Sequence, residues 1–215
     1  MPIELNTARA AVALLCAASV IALVAKAGLE RRRRLAFEEL SRMLGLTPVA
    51  TRRSLLGDLF GGRPGCRGIF LGRPLSVVTT RDVSLRNPIR VTRIEIPADE
   101  DLPELLVRRR SRLISALSDR AVKTGDPDFD AVLDVFSPDP EFALLLLDAA
   151  IRGQLSHNAR RGLFKGTCGV NSGRIYYEES GFLLRGAMED RFSCAAPVLA
   201  ALATSAEKLS RADEK

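Results

Sequence analysis

Sixteen residues without a charge, from Ala10 to Ala25, are followed by Lys26 and then by four consecutive arginines, Arg31, Arg32, Arg33 and Arg34. No other feature constrains the chain so tightly, because a helix through this run has no polar face to turn toward water. Such a helix spans about 24 Å, and Arg9 and Lys26 can snorkel from its ends toward the faces of a ~30 Å hydrocarbon core. Val12, Leu14, Leu15, Val20, Ile21, Leu23 and Val24 favour insertion, while the alanines between them add little, so the total is about a few kcal/mol.

Three readings compete for this segment. A buried core helix would carry a polar side, and only Cys16 and Ser19 are available for one. A cleaved export signal has Ala25-Lys26-Ala27 in its favour, a small-x-small cleavage pattern ending just before Gly28. The charge bias opposes it: Arg9 and Glu4 precede the run, and five cations follow it. Cations behind an apolar span hold that end in the cytoplasm. The preferred reading is an uncleaved single-pass anchor, amino terminus outside and carboxy-terminal domain cytoplasmic. Lys26 and Arg31 to Arg34 then meet anionic headgroups. Small residues at four-residue spacing, Ala13/Ala17 and Ala18/Ala22, admit self-association within the bilayer.

The net charge of +6 is unevenly spread: residues 26–120 hold 20 Lys/Arg against 11 Asp/Glu, and residues 121–215 hold 11 against 14. A basic half beside a membrane suits anionic lipid. Nucleic acid is disfavoured, because single-strand binders stack bases on aromatics, and here Trp is absent and Tyr176-Tyr177 stand alone. Cys16, Cys66, Cys168 and Cys194 form no CxxC pair and read as reduced thiols rather than disulfides or metal ligands.

Beyond Glu30, apolar residues at Leu35, Ala36, Phe37, Leu40, Met43 and Leu44 continue a helix to Gly45, so the span and this segment can form one rod. Strands are expected at 67–71 and 75–80 around Gly72-Arg73-Pro74, at 90–96, and at 129–136. Residues 102–117 are ambiguous; Leu105, Leu106, Arg109, Leu113 and Leu117 would line a helix with Arg108, Arg110 and Arg112 on its charged side. Asp139-Pro140 opens a Leu-rich core helix reaching Leu155. A hairpin follows at 163–178 around Asn171-Ser172-Gly173, then a last helix entered through Pro197. The order implies an α+β fold with antiparallel pairing. Its parts are an anchor (1–29), a basic juxtamembrane helix (30–46), a soluble domain (47–210) and a disordered tail (211–215).

The step Thr124-Gly125-Asp126-Pro127-Asp128-Phe129-Asp130, followed by a strand and a Leu-rich helix containing Arg152, resembles a group of bacterial proteins that carry such a module on membrane helices. In them a TGDxxFD step precedes a strand, a helix ending in an R..L pattern, a hairpin and a final helix. The resemblance covers about residues 45–210. It implies a bacterial membrane setting and brings no activity with it.

Templates for chemistry fail one by one. Asp126, Asp128 and Asp130 alternate like a calcium loop, but Ala131 and Ser137 occupy the positions that need Gly and a bidentate Glu. Their better reading is a turn in which Asp126 and its neighbours accept backbone N–H bonds. The Gly61–Gly68 region holds neither GxxxxGK[ST] nor GxGxxG. His157, the one histidine, stands near a helix end without a nucleophile elbow, and Cys168 reads as packing. No catalytic, cofactor-binding or metal residue is assigned. The expected function is a non-enzymatic interaction or structural module, its protein partner unspecified. The alternative is a membrane-tethered hydrolase or transferase with a site around Asp126/Asp128.

Overall fold

The computed structural model describes residues 2–49, 65–82, 89–110, 121–180 and 185–213. The long rod expected at the start is present: α1 runs unbroken over Pro2–Leu44, about 65 Å at 1.5 Å per residue. Gly45, with φ +63°, ends it.

The two ends of that rod live in different surroundings. Leu14, Leu15, Val20, Ile21, Leu23 and Val24 are all at least half exposed, whereas Ala36, Phe37 and Leu40 are under 10 % exposed and belong to the central core. The change comes over the twelve residues from Val24 to Ala36, little more than three helical turns. Among the described residues no helix is long and apolar enough to cross a membrane. The described charge-free side chains of α1 run only from Leu14 to Ala25, about 18 Å against a core of ~30 Å. The transmembrane helix expected for residues 1–29 is therefore not supported by the described residues.

Among the described residues an eight-stranded antiparallel sheet forms the body. Its strands are β1 (Thr47–Pro48), β2 (Gly65–Phe70), β3 (Arg73–Asp82), β4 (Ile89–Pro97), β5 (Leu105–Arg109), β6 (Leu133–Phe136), β7 (Thr167–Asn171) and β8 (Arg174–Ser180). Their spatial order is β1-β2-β3-β4-β8-β7-β5-β6. Both expected hairpins form. Leu71-Gly72 joins β2 to β3, and Ser172-Gly173 joins β7 to β8, each pair with positive φ, as a two-residue turn between twisted strands requires.

Register lines up one apolar face across the sheet. Val77 lies opposite Ile94, Ile94 opposite Tyr177, Tyr177 opposite Cys168, Cys168 opposite Val107 and Val107 opposite Val135. All six are 3 % exposed or less. The helices α3 (Pro140–Leu146), α4 (Ala149–Arg160) and α5 (Arg185–Asp213), with the second half of α1, complete this core.

Several expectations are corrected. Residues 105–109 are not helical but form β5, hydrogen-bonded to β6 on one side and β7 on the other. Leu105 and Val107 alternate into the core, and Arg108 lies 4.7 Å from the Phe136 ring centre on the other face. Leu113 and Leu117 lie outside the described residues. The strand expected at 129–136 keeps only its second half. Pro127–Asp130 is a single helical turn, α2, because Asp126 caps it. The Leu-rich helix is two helices, since Asp148 accepts from the Ile151 N–H at 2.8 Å and starts α4 afresh. Pro197 lies inside α5 rather than at its entrance, and α5 continues to Asp213 through most of the expected tail.

Phe37, Leu40 and Leu46 are buried in the same core as the sheet. Phe37→Ala should accordingly lower stability by about 3–5 kcal/mol in denaturant melts of the full chain. A loss below about 1 kcal/mol would show that α1 is merely apposed to the domain.

Candidate functional site

The TGDPDFD step folds as a closed ring of short-range bonds. Gly125 takes φ +75°, which lets the chain double back. The Asp130 carboxylate accepts from the Thr124 N–H and hydroxyl at 3.2 and 2.9 Å, and the Asp126 N–H donates to the Thr124 hydroxyl at 3.3 Å. Asp126 Oδ1 in turn accepts from the N–H groups of Asp128 and Phe129 at 3.0 and 3.1 Å. The ring drives Phe129 fully into the core. Asp126 thus does what the turn reading asked of it.

Two arginines of α4 clasp this step. Arg152 places Nε 3.8 Å from Asp126 Oδ2 while its Nη1 donates to the Leu147 carbonyl at 2.8 Å. Arg160 meets the Asp128 carboxylate at 2.5 Å on an exposed surface. The R..L pattern of the helix thereby has a physical meaning: Arg152 reaches the step, and Leu155, fully buried, anchors the helix beneath it. The Asp126 and Asp128 carboxylates are both engaged, and His157 is exposed on α4. Among the described residues no group of three or more His, Cys, Asp or Glu converges as a metal site would.

A second polar cluster, which the sequence reading missed, lies inside the core. Arg191 of α5 is 7 % exposed; its Nη1 donates to the Gly162 carbonyl at 3.0 Å and to that of Leu163, and its Nε stands 3.2 Å from Glu179 Oε2. Tyr177 donates to the same Glu179 oxygen at 2.7 Å and accepts from the N–H groups of Lys165 and Gly166. One buried arginine therefore ties α5 to β8 and to the end of α4. Beside it is a cavity of about 10 Å³ lined by Cys168 and Cys194, room for one water at most. Burial pushes the Cys168 thiol up to about 12 and Cys66 to about 11, so neither offers a thiolate near neutral pH. The packing role expected of Cys168 agrees with its 1 % exposure.

A groove of about 480 Å³ lies between the β4–β5 loop, the start of α3 and the end of α5. Leu102, Phe142, Leu145 and Leu209 form its apolar lining, and Asp99, Asp101, Asp139 and Glu141 stand around it. It merges through Asp99, Leu102 and Ser210 with a neighbouring hollow of about 170 Å³ along α5. Three segments distant in the chain build it, so no local pattern announces it. Among the residues expected at a membrane surface, Lys26, Arg31 and Arg32 are exposed and Arg34 is half-buried. The Arg33 side chain lies outside the described residues.

The aspartates should separate cleanly on substitution. Asp126→Ala removes a double cap and the partner of Arg152, and should cost about 1–2 kcal/mol in thermal or denaturant melts. Asp128→Ala removes only an exposed ion pair and should cost about 1 kcal/mol or less. A calcium-dependent rise in melting temperature that Asp128→Ala abolishes would contradict this account of the step.

No protein-family model matches the chain, and no curated protein matches it in sequence. Among solved structures the chain is similar to the crystal structure of the mycobacterial trehalose monomycolate transport factor A, TtfA, with a TM-score of 0.50 and 12 % identity. The match covers 81 % of this chain and 94 % of that one. At this identity the likeness is one of fold.

Proposed function

We propose that the chain is a membrane-anchored, non-enzymatic interaction module whose folded part faces the cytoplasm of a bacterial cell. The observation that carries the reading is the uncovered half of α1. Seven large apolar side chains between Leu14 and Leu29 are 43–72 % exposed, on the same helix that buries Phe37 and Leu40. Covering such side chains yields about 1.5–3 kcal/mol each when complete, so a medium that takes them all gains on the order of 10 kcal/mol. A bilayer is the natural cover, since the uncharged sequence extends back to Ala10 and Lys26 with Arg31 to Arg34 stands on one side only.

The same cations would hold the domain against anionic headgroups, each contributing about 1 kcal/mol close to the surface. An accessory role without chemistry agrees with the engagement of Asp126 and Asp128 in caps and ion pairs. It also agrees with the fold shared with a protein described as a transport factor for trehalose monomycolate. By that analogy the module serves the handling of an envelope lipid by holding other proteins in place. No observation favours the hydrolase or transferase alternative.

Topology tests the proposal. A reporter that works only in the cytoplasm, fused after Lys215, should be active. Replacing Arg31, Arg32, Arg33 and Arg34 with Gln should yield a mixed population. An active periplasmic reporter on the unaltered chain, or a mature amino terminus at Gly28, would show instead that the domain is exported.

A further inference from the structure

We propose that the groove between α3, α5 and the β4–β5 loop is a docking site for a cationic amphipathic helix of a membrane partner. The inference rests on the anchored, cytoplasm-facing reading above and names the chemistry of the partner. Its first support is shape: an open cleft of about 480 Å³ continues into a hollow of about 170 Å³ along α5, suiting a run of side chains rather than one compact molecule. Apolar surface comes next. Leu145 faces the groove at 55 % exposure, although its neighbours Leu146 and Leu147 are fully buried.

Charge then selects the occupant. Asp99, Asp101, Asp139 and Glu141 surround the apolar lining, and among the described residues none of them is ion-paired. Asp139 Oδ1 caps α3 and Asp99 Oδ1 accepts the Asp101 N–H, which leaves the outward oxygens without a cation. Among the described residues Arg211 is the one cation on the lining, at the far end of the smaller hollow. A leucine stripe would enter the cleft and flanking lysines or arginines would meet the rim, the helix-in-groove mode of recognition. Helices of this type are common on the cytoplasmic flank of membrane proteins, where the positive-inside bias collects Lys and Arg. A domain tethered at that surface meets them at high local concentration.

The test uses the full chain in nanodiscs of zwitterionic lipid and a labelled helical peptide with one leucine stripe flanked by lysines, empty discs serving as reference. The peptide should bind by fluorescence anisotropy, and more weakly as salt rises. Exchanging its lysines for glutamates should abolish binding. The triple variant Asp99→Asn, Asp101→Asn, Glu141→Gln should bind about tenfold more weakly at an unchanged melting temperature, because these rim positions are not in the core. Leu145→Ala, a second surface change, should weaken binding without altering its salt dependence.

Equal binding to the original and triple-variant chains would overturn the proposal, as would equal binding of the glutamate peptide. So would a chain dimer that the triple variant abolishes, with no peptide bound, since a second copy would then own the groove. The reporter fusion reads topology independently of this binding. A misplaced anchor and a misread groove therefore fail in different experiments.

Discussion

One unbroken helix in two environments is the constraint on which the rest depends. The backbone of α1 satisfies its own hydrogen bonds throughout, so only side chains decide what surrounds each part. From Leu14 to Ala25 they are free of charge and exposed, and from Ala36 onward they enter the core beside β2 and α5. Because no turn intervenes, a bilayer over the first part, as proposed, would be coupled to the sheet through continuous helix. A flexible linker would let the domain tumble, whereas a continuous helix fixes which of its faces look toward the cover.

Inside the domain, polar groups do the clamping that apolar packing cannot specify. Arg191 is buried, and Glu179 with two backbone carbonyls satisfies its charge, while Tyr177 donates to the same Glu179 oxygen. Removing one partner of such a buried pair strands the other, so loss of either Arg191 or Glu179 should loosen the packing of α5 on β8. The aspartate step works similarly at lower stakes, since Asp126 organises a turn and presents one oxygen to Arg152. Together these two clusters hold α4 and α5 in place, and α5 with the start of α3 sets the walls of the acidic groove.

Much of this was legible in the residues. Asn171-Ser172-Gly173 announces a tight hairpin, Asp139-Pro140 a helix start, and the spacing from Leu35 to Leu44 a helical continuation, because each signal is local. Residues 105–109 stay ambiguous in the sequence because Leu105, Leu106 and Arg109 sit at helical spacing. What decides their state is pairing with β6 and β7, both remote in sequence. Pro197 looked like an entrance, yet the packed apolar face around Ala196, Val198 and Leu199 carries α5 across it. Phe37 and Leu40 closely follow the basic quartet, and their burial depends on β2 and α5, both remote in sequence. The Arg191–Glu179 pair and the groove could not be read at all, being assembled from segments many residues apart.

A single tryptophan tests the central claim most directly, since the chain has none of its own. With Val20→Trp in the full chain reconstituted into lipid vesicles, emission should shift to the blue and be quenched by lipids brominated on their acyl chains. A tryptophan at Leu35, exposed on the part of α1 beyond the cations, should escape that quenching. Water-like emission at position 20, indifferent to brominated lipid, would mean that no bilayer covers the apolar half of α1, and the account would fail at its root.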